Sequence, residues 1–230
     1  MEQQNRQPFY RPVFLPPATP SELLDRILPH HGYPTTLLIC WPKKLFLEGL
    51  VNDVRQQLGQ DDDRRHPLLQ APLLQEAVSR HLHVAFIPTV AHLRAYLAVF
   101  RTRRTTTRPP PQPSDSQTCS TAFAPLLLAY GFVELHRDGS EWSAQGLNRS
   151  AALLVESAAG NGLRATVVEP RKTDDVDELE VALDEKIPVL SRAAERDGEA
   201  LGQGSVPVHA VFDRWFEYEA PRQVPMEKSE

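Results

Sequence analysis

Three runs in this chain are apolar or β-branched almost without a break: Thr35-Thr-Leu-Leu-Ile-Cys40, Phe123-Ala-Pro-Leu-Leu-Leu-Ala-Tyr130 and Arg164-Ala-Thr-Val-Val168. A strand with one wet face alternates apolar and polar residues. These do not, so both their faces must be covered, as in a parallel sheet packed between helices. A fourth run, Leu82-His-Val-Ala-Phe-Ile87, ends at Pro88. The residues between them read as helices. After the first strand, Pro42 suits a first turn, and Leu47, Leu50, Val51, Val54 and Leu58 recur at steps of three and four before Gly59. A helix is expected around Ala71 to Arg80. Thr89 is a cap for Val90 to Phe100, whose Leu93, Tyr96, Leu97 and Phe100 share a face. Ser143 opens a helix to about Ala159 with a stripe of Leu147, Ala151, Leu154, Val155 and Ala158, stopped by Gly160 and Gly162. Strands alternating with helices predict a doubly wound α/β core, whose ligands bind at the carboxyl ends of the strands.

The remaining segments set the boundaries. Residues 1–20 are polar and proline-rich, with Pro16 beside Pro17, and are expected to be an irregular tail. Ser21 then caps a short helix, Glu22 to Leu28. Residues 101–120 hold four arginines, five threonines and four prolines but no aliphatic side chain, which predicts a disordered loop. Val206 to Tyr218 alternates, Val208, Ala210 and Phe212 against His209, Val211 and Asp213, and is expected to form an antiparallel edge strand. The expected organisation is one domain over 21–219 with the loop at 101–120, and a second disordered tail at 220–230.

The chain has 230 residues and a formal charge of −5, which argues against a surface coated for nucleic acid, but the acidity is local. From Glu169 to Glu185 eight acidic residues face two basic ones, a charge of −6. Two cysteines, Cys40 and Cys119, make no disulfide framework or zinc site, which fits a reducing compartment. The longest apolar run, Phe123 to Tyr130, is too short to span a bilayer, and the reading is a soluble protein that does not enter a membrane.

Familiar catalytic patterns are missing. The turn Ile39-Cys-Trp-Pro-Lys-Lys44 has no glycine to wrap a phosphate, although Lys43 and Lys44 read either as anion contacts or as solvated surface. No nucleophile elbow or His-Glu-x-x-His helix occurs. Cys40 is a thiolate candidate beside those lysines, or simply a small buried residue. The histidines, including His81, His83, His92, His136 and His209, stand without carboxylates or cysteines at ligand spacing, so no metal and no cofactor are expected.

The segment Leu126-Leu-Leu-Ala-Tyr-Gly-Phe-Val-Glu-Leu-His-Arg137, then Glu141-Trp-Ser-Ala-Gln-Gly-Leu-Asn-Arg149 and a long apolar helix, resembles the core of the eukaryotic RecA-type recombinases and their paralogues. In that family a Walker B strand runs into a loop and a Glu-Leu-Ser-Ala-Arg-Gln helix, and Ser143-Ala-Gln is the most specific match here. Val84-Ala-Phe-Ile-Pro-Thr-Val-Ala-His-Leu93 resembles the preceding strand and helix, Gly162 to Val168 the next strand, and Arg214-Trp-Phe-Glu217 part of the final β region. The likeness spans about residues 35–170 plus that region and implies a RecA-like fold. Thr35 to Cys40 matches either the Walker A strand or the one after it.

The departures bear on function. Where the family has the Walker B aspartate that holds magnesium, this chain has Tyr130, which carries no charge at neutral pH. Glu169-Pro170 replaces the polar sensor, and there is no Gly-Lys-Thr or Gly-Lys-Ser. The family's first DNA-binding loop corresponds to Asp138-Gly139-Ser140, with His136 and Arg137 at its edge; the second falls in the acidic region, where Arg171 and Lys172 are the cations. Arg101, Arg103, Arg104 and Arg108 form a basic stretch, which reads as a DNA clamp, a nuclear signal or a linker. The resemblance thus implies a non-catalytic, nuclear RecA-like subunit of a Shu-type complex that assists recombinase filaments in homologous recombination repair. Its implied partners are a RecA-like paralogue or the filament, with single-stranded DNA as a further contact. Arg101, Arg103, Arg104, Arg108, Arg137, Arg171 and Lys172 are the DNA-binding candidates. Trp142, Gln145, Arg149, Trp215 and Phe216 are the interface candidates. The alternative is an ATPase-dead scaffold subunit of an Elongator-type assembly.

Overall fold

The computed structural model describes residues 10–30, 32–58, 73–102, 124–137, 139–171, 178–190 and 204–219. Six strands form one sheet: β1 (Val13–Ala18), β2 (Gly32–Ile39), β3 (Leu82–Phe86), β4 (Pro125–Tyr130), β5 (Arg164–Pro170) and β8 (Glu217–Tyr218), in the order β3-β2-β4-β5-β1-β8. Every pairing in it is parallel. The α/β architecture expected from the buried runs is therefore present.

Period-two alternation splits the central strands between two cores. Leu38, Cys40, Leu127, Ala129 and Val167 pack with α4 (Val90–Ala98), α6 (Ala144–Gly160) and α8 (Val208–Phe212). Leu37, Ile39, Leu126, Leu128, Tyr130 and Val168 pack on the other side, with residues of α1 (Pro20–His30) and α2 (Lys43–Leu58). Thr89 and Ser143 cap α4 and α6 as expected, accepting from the His92 and Gly146 amides. Gly162, at φ 67°, takes the left-handed turn after α6.

Several expectations are corrected. Val13–Ala18 is a strand between β5 and β8, with Phe14, Leu15 and Ala18 buried, not part of a tail. Its pairing with β5 is irregular between Leu15 and Ala18, where Pro16 and Pro17 lack an N–H to give. Helix α1 starts at Pro20 and its cap is Thr19 rather than Ser21. The end of the chain is not an antiparallel edge strand. Val208, Val211 and Phe212 are buried at helical spacing in α8, and the edge strand that follows, β8, runs parallel to β1. Antiparallel pairing occurs instead in a separate ribbon, β6 (Lys186–Pro188) with β7 (Ser205–Pro207). A short helix, α5 (Phe132–Arg137), follows β4 directly. In α2, Leu47 and Val51 are exposed, while Phe46, outside the expected stripe, is buried. Helix α3 (Leu73–Ser79) precedes β3, and α7 (Glu178–Asp184) lies in the acidic region. The expected loop at 101–120, beyond Thr102, and the tail at 220–230 lie outside the described residues.

Candidate functional site

In this sheet order the connection leaving β1 leads to α1 on one face, whereas the one leaving β4 leads to α5 and α6 on the other. Such a reversal opens a crevice at the carboxyl ends of the strands, where open α/β folds bind ligands. Here it holds Ala18 to Ser21, Tyr130 to Glu134, Glu169 to Arg171 and α7.

On the α1 side the crevice is closed by the chain's own groups. Thr19-Pro-Ser-Glu22 is a capping box: the Thr19 amide donates to Glu22 Oε2 at 3.0 Å, and the Glu22 amide to Thr19 Oγ1 at 3.5 Å. Asp53 of α2 accepts from both the Ser21 amide and Ser21 Oγ, at 3.1 and 3.0 Å. Arg171 donates to Glu22 Oε1 at 2.8 Å and to the Pro17 carbonyl at 3.1 Å. The positive end of α1, the natural place for a phosphate, is thus filled by side-chain carboxylates. Replacing Asp53 with alanine removes the carboxylate that accepts from the Ser21 amide and hydroxyl, and urea unfolding should show a loss of about 1–2 kcal/mol, less for Asp53→Asn.

Tyr130 fills the middle. It is wholly buried, its hydroxyl donates to the Ala18 carbonyl at 3.0 Å, and its ring meets Trp41 and Phe46 edge-on. Burial, with Glu169, Asp53 and Glu22 nearby, pushes its phenol up, so it stays neutral.

On the α5 side lies a cleft of about 290 Å³ lined by Val133, Glu134, Arg137, Glu169, Leu183 and Glu185, among others. Glu169, at the end of β5, accepts from the Val133 amide at 2.8 Å and the Glu134 amide at 3.4 Å, capping α5. Burial is the main cause that raises its carboxyl to about 7, against the helix N–H groups that lower it. Sequence reasoning placed Glu169 at the head of a solvated acidic run; the one signal of its burial is that it continues the apolar run of β5.

The expected DNA contacts are dispersed. Arg137 ion-pairs with Glu185 and, at 3.4 Å, with Glu134, and lies over the Trp142 ring. Arg171 is held by Glu22. Arg101 is exposed and donates to the Phe100 carbonyl. Arg103, Arg104, Arg108 and Lys172 lie outside the described residues. Of the interface candidates, Gln145 makes two 3.0 Å hydrogen bonds with the Leu190 backbone, and Trp215 donates to Asn148 at 2.9 Å. Phe216 is buried against Phe212, which makes it core rather than surface, and Arg149 is exposed.

Cys40 is buried and its thiol is pushed up, first by burial and then by Glu169, the opposite of an activated thiolate. Lys43 lies over Phe86, 5.5 Å from the ring centre. His136 is buried, with Nδ1 2.8 Å from the Phe132 carbonyl and Nε2 2.9 Å from Ser150 Oγ, and burial lowers it to about 4. Among the described residues no three histidine, cysteine or acidic side chains gather to hold a metal, and no helix is long and apolar enough to cross a membrane. No family model matches the chain, and no curated protein matches its sequence.

Proposed function

We propose that this chain is a non-catalytic RecA-like subunit of a Shu-type recombination-mediator complex, working in the nucleus with a RecA-like paralogue or a recombinase filament in homologous recombination repair. The observation that carries the non-catalytic part is the state of the switch-point crevice. If β1, which precedes β2, is taken as the Walker A strand of the resemblance, the phosphate-loop position is Ala18-Thr-Pro-Ser21, where Asp53 and Glu22 occupy the helix N-terminus. Two carboxylates there repel phosphate. Tyr130, at the place of the magnesium-binding aspartate in the resemblance, bonds from β4 to the Ala18 carbonyl of β1. With the phosphate position on the α1 side closed by the chain's own carboxylates, the chain is read as acting through contacts. The Ser143-Ala-Gln start of α6 is the feature that favours the recombinase branch over the Elongator one.

Affinity purification of the chain from cells, followed by mass spectrometry, should recover a RecA-type recombinase or paralogue, and deletion should sensitise cells to alkylating damage. Recovery of Elongator subunits, or normal damage tolerance, overturns the reading. The purified complex should bind single-stranded DNA less tightly as salt rises.

A further inference from the structure

Glu169 is a nine-tenths buried carboxylate facing a cleft, and its hydrogen-bond partners are backbone N–H groups of α5. The cation among the cleft's described lining residues, Arg137, is committed elsewhere, to Glu185 and Glu134. The cleft therefore contains three carboxylates and one guanidinium, and the deepest carboxylate has no cationic partner among the described residues. The rest of its lining is apolar and includes Val133, Pro170 and Leu183. At about 290 Å³ it lies at the foot of the range for small-molecule sites, roughly 300–1,000 Å³.

We propose that this cleft is a docking pocket for a lysine side chain of a protein partner, whose aliphatic stem lies along Val133 and Leu183 and whose ammonium meets Glu169. Charge and shape both select this occupant. A phosphate backbone is repelled by Glu134, Glu169 and Glu185, whereas a cleft that joins apolar side chains to carboxylates suits four methylenes and a compact cation. The pocket would take such a group whether or not the partner is a recombinase.

Proton linkage gives the pocket a signature. The titratable and charged groups around Glu169 are Glu134 and Arg137 of α5, Glu185 after α7, Tyr130 of β4 and Cys40 beyond β2. Tyr130 and Cys40 stay neutral. With Glu169 titrating at about 7, its ionised fraction rises about tenfold from pH 6 to pH 8 while an ammonium stays charged.

The test uses the full chain and two probes, n-butylammonium and an acetylated, amidated pentapeptide with one central lysine, followed by the NMR shifts of the Val133 and Glu134 amides. Both probes should shift these two amides in a saturable way, with affinity about tenfold higher at pH 8 than at pH 6. The same peptide with norleucine in place of lysine should bind at least about tenfold more weakly. Glu169→Gln should flatten the pH dependence, and the wild-type comparison of lysine with norleucine decides the matter even if that variant folds poorly. Equal binding of the norleucine peptide, no shift of the two amides, or their saturation by a single-stranded oligonucleotide each overturns the proposal.

Discussion

Tyr130→Asp, which writes the magnesium-binding aspartate of the resemblance back into β4, should unfold the protein rather than restore a nucleotide site. The tyrosine is wholly buried, meets two aromatic rings edge-on and bonds the Ala18 carbonyl. Removing an aromatic side chain of this kind costs about 3–5 kcal/mol. The new carboxylate would sit in the same apolar setting, among the carboxylates that already push the tyrosine up, Glu169, Asp53 and Glu22. Together these losses rival a whole domain's stability of about 5–15 kcal/mol. The expected readout is a lost or much lowered urea midpoint with no heat of ATP binding. Tyr130→Phe loses only the hydroxyl bond, about 1 kcal/mol. An aspartate variant as stable as the wild type that binds magnesium-ATP would overturn both the packing argument and the non-catalytic reading.

The sheet was legible wherever strands are buried on both faces, because continuous apolar runs such as Leu126 to Tyr130 leave few alternatives. Strand β1 was hidden by its own prolines. Pro16 and Pro17 fall in the stretch where pairing with β5 is irregular, so a segment with tail-like composition still contributes Phe14 and Leu15 to the core. The α8 segment deceived in another way: over five residues, period two and period 3.6 share too many positions to be told apart, and tertiary packing of Val208, Val211 and Phe212 decides. The site was less legible because its key groups come from distant positions. Asp53 lies mid-helix, 32 residues from the Ser21 it caps, and Arg171 is 149 residues from Glu22. Local spacing rules carry no signal for such pairs. Arg137 and Arg171 illustrate the consequence, for they read as free cations in the sequence and are held by carboxylates in the fold.

Glu169 should make the protein lose stability as pH rises through neutrality. Its folded value of about 7 lies above the ordinary 4.5, so between the two the native state keeps a proton that the unfolded chain has released. That contribution is complete below about pH 4.5 and gone above about pH 7. The gap between 4.5 and about 7 sets an upper bound of about 3 kcal/mol. His136 works in the opposite direction: lowered to about 4, it removes stability as pH falls below about 6.5. Both act in the wild type and partly offset each other. The difference between Glu169→Gln and wild type isolates the glutamate, because both proteins keep His136. Glutamine retains an acceptor for the Val133 amide but does not ionise in the buried site. Urea unfolding from pH 5 to pH 8 should therefore show the variant gaining on wild type by up to about 3 kcal/mol, with most of the change below pH 7. A difference that stays flat across that range would mean that Glu169 titrates as an ordinary carboxylate. The ionised group would then already be satisfied by the α5 amides, leaving no unmet charge at the floor of the cleft.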